Sequence, residues 1–224
     1  MKTLIAMPCM DTIHTATVSC LLDLRKPPGT RVCLKANSLI YDSRNLISLT
    51  AIEEGFDRVL WLDSDMIFPP DLMERLEADM DEGYDLVTGL YVSRRFPIRP
   101  IMYRDIQPPE DGKKRIEEYM DYPKDALFPV AGCGFGAVLT STELLRAVWQ
   151  RYGPAFAPYP WAGEDISFCY RANECGAVMA CDSRIDIGHQ GMMIFHKGMI
   201  ENGMIESTGE TMDTNDRTDA KGGD

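Results

Sequence analysis

The chain is short of positive charge, of paired cysteines, of histidine and of long apolar runs. Its 23 Lys and Arg face 35 Asp and Glu, a formal net charge of −12. That is the wrong sign for a nucleic-acid-binding surface, which needs a positive footprint, and it argues against broad attraction to anionic lipid. A local basic cleft stays open, because net charge does not say where individual arginines sit. Seven cysteines are scattered at positions 9, 20, 33, 133, 169, 175 and 181 without a Cys-x-x-Cys pair. An odd count without metal spacing reads as reduced, mostly buried thiols in a cytoplasmic protein. No stretch approaches the roughly 20 apolar residues of a membrane-spanning helix. The opening run is too short for a secretory leader before Pro8 and Asp11 interrupt it. There is no internal repeat. The glycine-dense Gly132–Gly136 segment matches neither the dinucleotide-binding nor the P-loop pattern.

What is present is an ordinary globular composition: 224 residues, 45% apolar and 26% charged, enough for one domain with a sizeable core. Strand-like and helix-like pieces alternate, the mark of an α/β sheet. Strands are expected at 3–7, 31–35, 58–62, 85–92, 98–103, 135–139 and 177–181. Helices are expected at 12–24, closed by Lys26-Pro27-Pro28-Gly29, and at 43–54, stopped by Gly55. Further helices open at Pro69-Pro70-Asp71, at the Ser141/Thr142 cap (running through Trp149), and at 164–175 before Gly176. The 58–62 run is continuously apolar after Arg58, as in a strand buried on both faces. Residues 104–127 are polar and proline-containing and read as a long loop. The domain is expected to span 1–204, with 205–224 as a polar, disordered tail.

Asp63-Ser64-Asp65 follows directly on the 58–62 strand. In open α/β sheets ligands bind beyond the carboxyl ends of strands. Two carboxylates one residue apart offer oxygen ligands to a hard divalent cation, Mn²⁺ or Mg²⁺. Such a cation can bridge a diphosphate and neutralise charge as the diphosphate leaves. The alternative is that both aspartates cap the following turn and helix. A second acidic pair, Glu164-Asp165, opens a helix after Pro160-Trp161-Ala162-Gly163 and is either two ordinary first-turn acids or a source of one catalytic base. A helix N-terminus favours the ionised form and so weakens an aspartate as base.

The 58–72 stretch, with Asp63-Ser64-Asp65 at its centre, resembles the Asp-x-Asp region of GT-A-fold glycosyltransferases, particularly the family-2-like enzymes. The resemblance covers roughly the first 200 residues but rests on short segments. It implies a three-layer α/β/α GT-A fold with a mostly parallel central sheet. It also implies transfer of a sugar from a nucleoside-diphosphate donor, a UDP-sugar foremost, to a carbohydrate or other hydroxyl acceptor. Carried over, Asp63 contacts the nucleotide and Asp65 the metal. Gly163-Glu164-Asp165 resembles the Gly-Glu-Asp motif of inverting members, with Asp165 as base beside Glu164. Trp161 and Gly163 fall where an acceptor stacks.

The family often completes its metal site with a C-terminal histidine. His189 is the candidate and His196 its rival, each otherwise a structural histidine; His14, on the first helix, reads as structural. Pro8 and Asp11 occupy the position of the nucleobase contact, although the usual pair of residues there is missing. Ser43-Arg44-Asn45 resembles the segment that opens the helix before the Asp-x-Asp strand. Arg44 then reaches base or phosphate, or is a surface residue behind a serine cap. Gly134 lines the sugar pocket or allows tight packing. Arg94, Arg95 and Arg99 ring the diphosphate or are solvated loop charges. Three rival readings remain: a retaining transferase, a nucleotidylyltransferase (whose basic Gly-rich loop 7–14 lacks), and a non-catalytic binding module.

Overall fold

Strands of alternating face preference, separated by helices, build three layers. The computed structural model describes residues 1–94 and 96–191. The chain runs β1 (Thr3–Pro8), α1 (Thr15–Asp23), β2 (Arg31–Lys35), α2 (Ile40–Glu53), β3 (Arg58–Leu62), β4 (Met66–Ile67), α3 (Leu72–Met80) and β5 (Leu86–Leu90). It continues through β6 (Met102–Glu110), β7 (Lys113–Glu118), β8 (Leu127–Pro129), β9 (Gly132–Cys133), β10 (Ala137–Ser141), α4 (Thr142–Tyr152), α5 (Glu164–Glu174), β11 (Met179–Asp186) and β12 (Gly188–His189). His196, the 205–224 tail and the boundary at 204 lie outside the described residues, as does Arg95. Among the described residues no helix is long and apolar enough to cross a membrane.

The central sheet has the order β2-β1-β3-β10-β5-β11-β8. Strands β2, β1, β3, β5 and β11 run one way; β10, between β3 and β5, and the edge strand β8 run the other. The sheet is therefore mostly parallel, as the sequence implied. Successive side chains point to opposite faces. Leu4, Val59, Trp61, Leu86 and Val138 meet α2, α4 and α5 on one side. Ile5, Leu60, Leu62, Val87 and Leu139 meet Leu72, Met73 and Leu76 of α3 and Leu21 of α1 on the other. Under the carboxyl end of β3 lies an aromatic knot. Trp61 meets Phe156 at 5.2 Å, Phe135 and Phe156 cross edge-on at 5.0 Å, and Phe156 stacks on Phe168 at 4.5 Å. The Trp61 indole N–H donates to Thr140 Oγ1 at 3.0 Å, so its burial leaves no polar group unpaired.

Several expectations need correction. Residues 104–127 are not a loop: β6 and β7 form an antiparallel hairpin, and β9 joins β6 as a third strand. The turn is Asp111-Gly112, with φ of 50° and 71° and Glu110 facing Lys113 across it. An Asp-Gly pair with both residues in the left-handed region matches strand twist; Pro108 and Pro109 masked that signal. The strand expected at 98–103 begins only at Met102, and the one expected at 135–139 is shifted to 137–141 and runs antiparallel. Strand β11 extends to Asp186, so Asp182 lies within it. Helix α2 starts a turn early, at Ile40, so Ser43 does not cap it; its hydroxyl lies 2.6 Å from that of Ser38.

Candidate active site

Four segments meet at the carboxyl end of β3. Asp63, the first residue beyond the strand, is tied to the glycine segment by its own N–H, which donates to the Gly136 carbonyl at 2.9 Å. The Ser64 carbonyl accepts from His14 N–H at 2.9 Å and from the Thr17 hydroxyl at 3.1 Å, which fixes the turn against the start of α1. Strand β12 pairs with β4 so that His189 lies opposite Met66, and Gln190 N–H donates to the Asp65 carbonyl at 2.8 Å. This short two-stranded pairing brings His189 to Asp65 across 124 positions of sequence. Neither aspartate caps α3, whose N-cap is Asp71; their side chains face other groups.

Asp65 Oδ2 lies 3.6 Å from His189 Nε2 and is ion-paired with Arg94 Nη1. His189 Nδ1 is 2.9 Å from the Val92 carbonyl oxygen, and the ring packs edge-on against Tyr91 at 5.6 Å. A carbonyl accepting from Nδ1 turns Nε2 toward Asp65. The protonated ring donates to the carboxylate there, and the neutral ring has its Nε2 lone pair available to a metal, the arrangement by which an outer carbonyl orients a metal-binding imidazole. Burial pushes the Asp65 carboxyl up, but His189 and Arg94 outweigh it and hold it below the usual range. The hydrogen bond to Asp65 raises His189 in turn. One carboxylate oxygen and one imidazole nitrogen suit Mn²⁺ or Mg²⁺ only as a partial set. Among the described residues no three His, Cys, Asp or Glu side chains converge to hold a metal alone. The pair fits a cation whose remaining ligands are water and substrate oxygens.

Arg44 was expected at the base or phosphate, or at the surface. It is 2% exposed, with Nη2 2.8 Å from Asp63 Oδ1 and Nη1 2.8 Å from Glu164 Oε1. Its guanidinium lies 5.2 Å from the centre of the Phe135 ring and 5.9 Å from that of Phe156. Next to Glu164, Asp165 Oδ1 accepts from Ile166 N–H at 2.7 Å. Burial, and then the Glu164 charge, push the Asp165 carboxyl up to about 6. The opposing effect of the helix N-terminus is thus outweighed by desolvation.

Trp161 packs face to face on Tyr159 at 5.2 Å and edge-on to Tyr170 at 5.6 Å, while Arg171 lies over Tyr159 at 4.3 Å. Beside Trp161, a cavity of about 330 Å³ is walled by Gln107, Pro109, Gly112, Arg115 and Ile116 of the hairpin. Gly163 is the exposed N-cap of α5. On the other side of the sheet's carboxyl edge, Asp11 and Met10 line a cavity of about 590 Å³ with Asn37, Ser38 and Leu39. Pro8 is buried at the end of β1. Gly134 is buried, and a Cβ there would overlap the Tyr91 hydroxyl and come within 2.7 Å of Ile101. Tight packing therefore accounts for that glycine.

The structure brings together Asp63, Asp65, Arg44, Glu164, Asp165 and His189. Asp11 lines the separate cavity. Arg94, expected at the diphosphate or in solvent, sits on Asp65. Tyr91, whose hydroxyl accepts from Gly136 N–H at 3.2 Å, carried no local signal in the sequence. Arg99 is paired with Glu118 at 2.6 Å.

A scan against protein-family models finds no match, and a search of the curated proteins finds none either. Solved structures match in fold. The chain is similar to A197 from STIV, with a TM-score of 0.64 and 21% identity over 86% of this chain and 87% of that one. It is also similar to GalNAc-T7, solved with UDP, GalNAc and Mn²⁺, with a TM-score of 0.56 and 12% identity over 84% of this chain and 43% of that one. At these identities the likeness concerns fold alone: this is the three-layer GT-A fold with a mostly parallel central sheet.

Proposed function

We propose that the chain is a metal-dependent, inverting glycosyltransferase acting on a nucleoside-diphosphate sugar, a UDP-sugar foremost. The observation that carries this reading is the convergence of Asp63, Asp65 and His189 with Glu164-Asp165 at the carboxyl end of β3, where open α/β sheets bind ligands. The GalNAc-T7 neighbour, solved with UDP, GalNAc and Mn²⁺, supports the donor class and the metal. Asp65 and His189 would hold Mn²⁺ or Mg²⁺, which when bound offsets the charge on a departing diphosphate. Asp63 contacts the nucleotide, whose base lies toward Pro8 and Asp11.

Asp165 is the base. The acceptor oxygen forms a bond to the anomeric carbon as the bond from that carbon to the diphosphate oxygen breaks. The nucleoside diphosphate leaves with the electron pair, and the acceptor proton passes to the Asp165 carboxylate. A carboxyl raised to about 6 is a stronger base than an ordinary aspartate yet stays ionised at neutral pH. Trp161, clamped on one side by Tyr159, presents its indole to the acceptor beside Gly163, with the hairpin as the facing wall. Apolar walls with a few polar groups are the usual make-up of such a site.

The test is a thermal-shift panel of nucleoside diphosphates and their sugar conjugates with and without Mn²⁺, followed by transfer assays. A metal-dependent shift with UDP and loss of transfer in Asp165→Asn with nucleotide binding intact are expected. No shift with any nucleotide would sink the reading. Wild-type transfer by Asp165→Asn would remove the base assignment and favour a retaining transferase, which the anomeric configuration of the product would reveal.

A further inference from the structure

Residues 43–45 make more contacts across the site than any direct substrate role needs. Arg44 joins Asp63, at the end of β3, to Glu164, at the start of α5, through two bonds of 2.8 Å from one guanidinium. The Asn45 side-chain oxygen accepts from Phe156 N–H at 2.8 Å, tying the loop that leads to Trp161. Ser43 is hydrogen-bonded to Ser38, beside the Asp11 cavity. One turn of α2 therefore reaches the end of β3, the start of α5 and the loop that leads to Trp161.

We infer that Arg44 and Asn45 are positioning residues that hold the donor side of the site, at Asp63, in register with the acceptor side, at Glu164-Asp165 and Trp161. The inference rests on the roles proposed above for those residues. A planar guanidinium with fixed fork geometry sets the distance between two carboxylates in a way a flexible ammonium does not. Each Nη atom is engaged by a carboxylate and the side chain is buried; among the described residues the Nε has no partner. The Phe135 and Phe156 rings against the guanidinium keep water from loosening the pair of bonds, and the same rings belong to the glycine segment and the 154–158 loop. Movement of α5 away from β3 breaks one arm of the fork and leaves the buried guanidinium with Asp63 as its single carboxylate partner, which the fold resists. Asp165, the next residue after Glu164, inherits that restraint. A misplacement of roughly 1 Å between base and reacting carbon costs on the order of 100-fold in rate, so the brace acts on turnover and not on donor affinity.

The test compares wild type with Arg44→Lys, which keeps the charge but cannot span both carboxylates. Hydrogen exchange on the ligand-free full chain should show the amides at 62–66 and 160–167 opening about tenfold or more faster, with β1 and α3 unchanged, as expected of a local loss of restraint. Exchange altered only within α2, or not at all, overturns the inference. This readout needs no substrate, so it stands or falls separately from the transferase reading, which fails if the wild type binds no nucleotide. With a UDP-sugar that the wild type turns over, Arg44→Lys should lower kcat by about 100-fold and leave the Kd for UDP with Mn²⁺ within about threefold. A weakened Kd at unchanged kcat would instead make Arg44 a nucleotide contact. Should Arg44→Lys not fold, Glu164→Ala, which removes the acceptor and retains Arg44, must loosen 160–167; unchanged exchange there overturns the inference equally.

Discussion

Replacing Asp165 by asparagine should abolish transfer and stabilise the protein at the same time. Burial, then the neighbouring Glu164, push its carboxyl from 3.8 to about 6 in the folded chain. The native state therefore binds this proton more tightly than the unfolded state does. That contribution is fully present below about pH 4 and is lost as pH rises through 6, leaving a poorly solvated charge above it. A shift of about two units corresponds to roughly 3 kcal/mol. The side chain is only half-buried, and water screening its charge reduces this to about 1.5–2 kcal/mol. Asparagine carries no charge and keeps an oxygen to accept from Ile166 N–H, the bond now 2.7 Å long. At about 2–4 °C per kcal/mol for a chain of this size, Tm should rise by about 3–8 °C at pH 8. At pH 4, where wild-type Asp165 is protonated in the folded chain, the two proteins should melt together. Scanning fluorimetry at pH 4, 6 and 8 measures this. A Tm difference independent of pH, or a variant less stable at pH 8, would show that burial is not what strains this carboxylate, and the case for Asp165 as a tuned base would lose its physical ground.

Asp79 offers the same test away from the site. It is buried beside Asp182, its Oδ2 has no partner among the described residues, and burial followed by the Asp182 charge raises it to about 6. Asp79→Asn supplies an amide donor toward Asp182, so it should raise Tm at pH 8 but not at pH 4, and leave transfer unchanged; calorimetry and the transfer assay check both. His189→Ala should weaken Mn²⁺-dependent UDP binding by at least about 10-fold, the lower end for lost support of a metal ligand, as read by titration calorimetry; unchanged binding would free His189 of that role. Trp161→Ala should raise the acceptor KM by about 10-fold, or roughly 1.4 kcal/mol, with the donor KM unmoved. Gly134→Ala should lower Tm measurably, because its Cβ meets Tyr91 and Ile101, at about 1–3 kcal/mol for overpacking.

Much of the fold was legible because it depends on local pattern. Strands 31–35 and 58–62 fell where expected, since a short run of apolar and β-branched residues between breakers leaves few alternatives. Helix α5 opened at Glu164, and Ser141 caps α4 by accepting from Leu144 N–H at 3.1 Å. The hairpin at 102–118 was misread because its strands are charged and carry prolines, and only the Asp111-Gly112 turn signalled it. The early start of α2 was equally hidden, because Leu39 caps it without a side-chain bond.

Among the site residues, Asp63, Asp65, Glu164 and Asp165 were visible because each sits at a strand end or a helix start, where a residue's position alone suggests chemistry. Sequence order and residue type determined the α/β architecture and the two acidic pairs, one at a strand end and one at a helix start. The tertiary structure alone decided who partners whom. It placed His189 against Asp65 through the β4–β12 pairing, laid Arg94 on the same carboxylate, and buried Arg44 between Asp63 and Glu164. Nothing local announces such pairings, because an ion pair across 120 residues depends on how strands pack and not on the pattern of either segment. The raised Asp165 carboxyl belongs to the same class: its spacing in the sequence describes an exposed first-turn acid, and only burial in the fold pushes its carboxyl up.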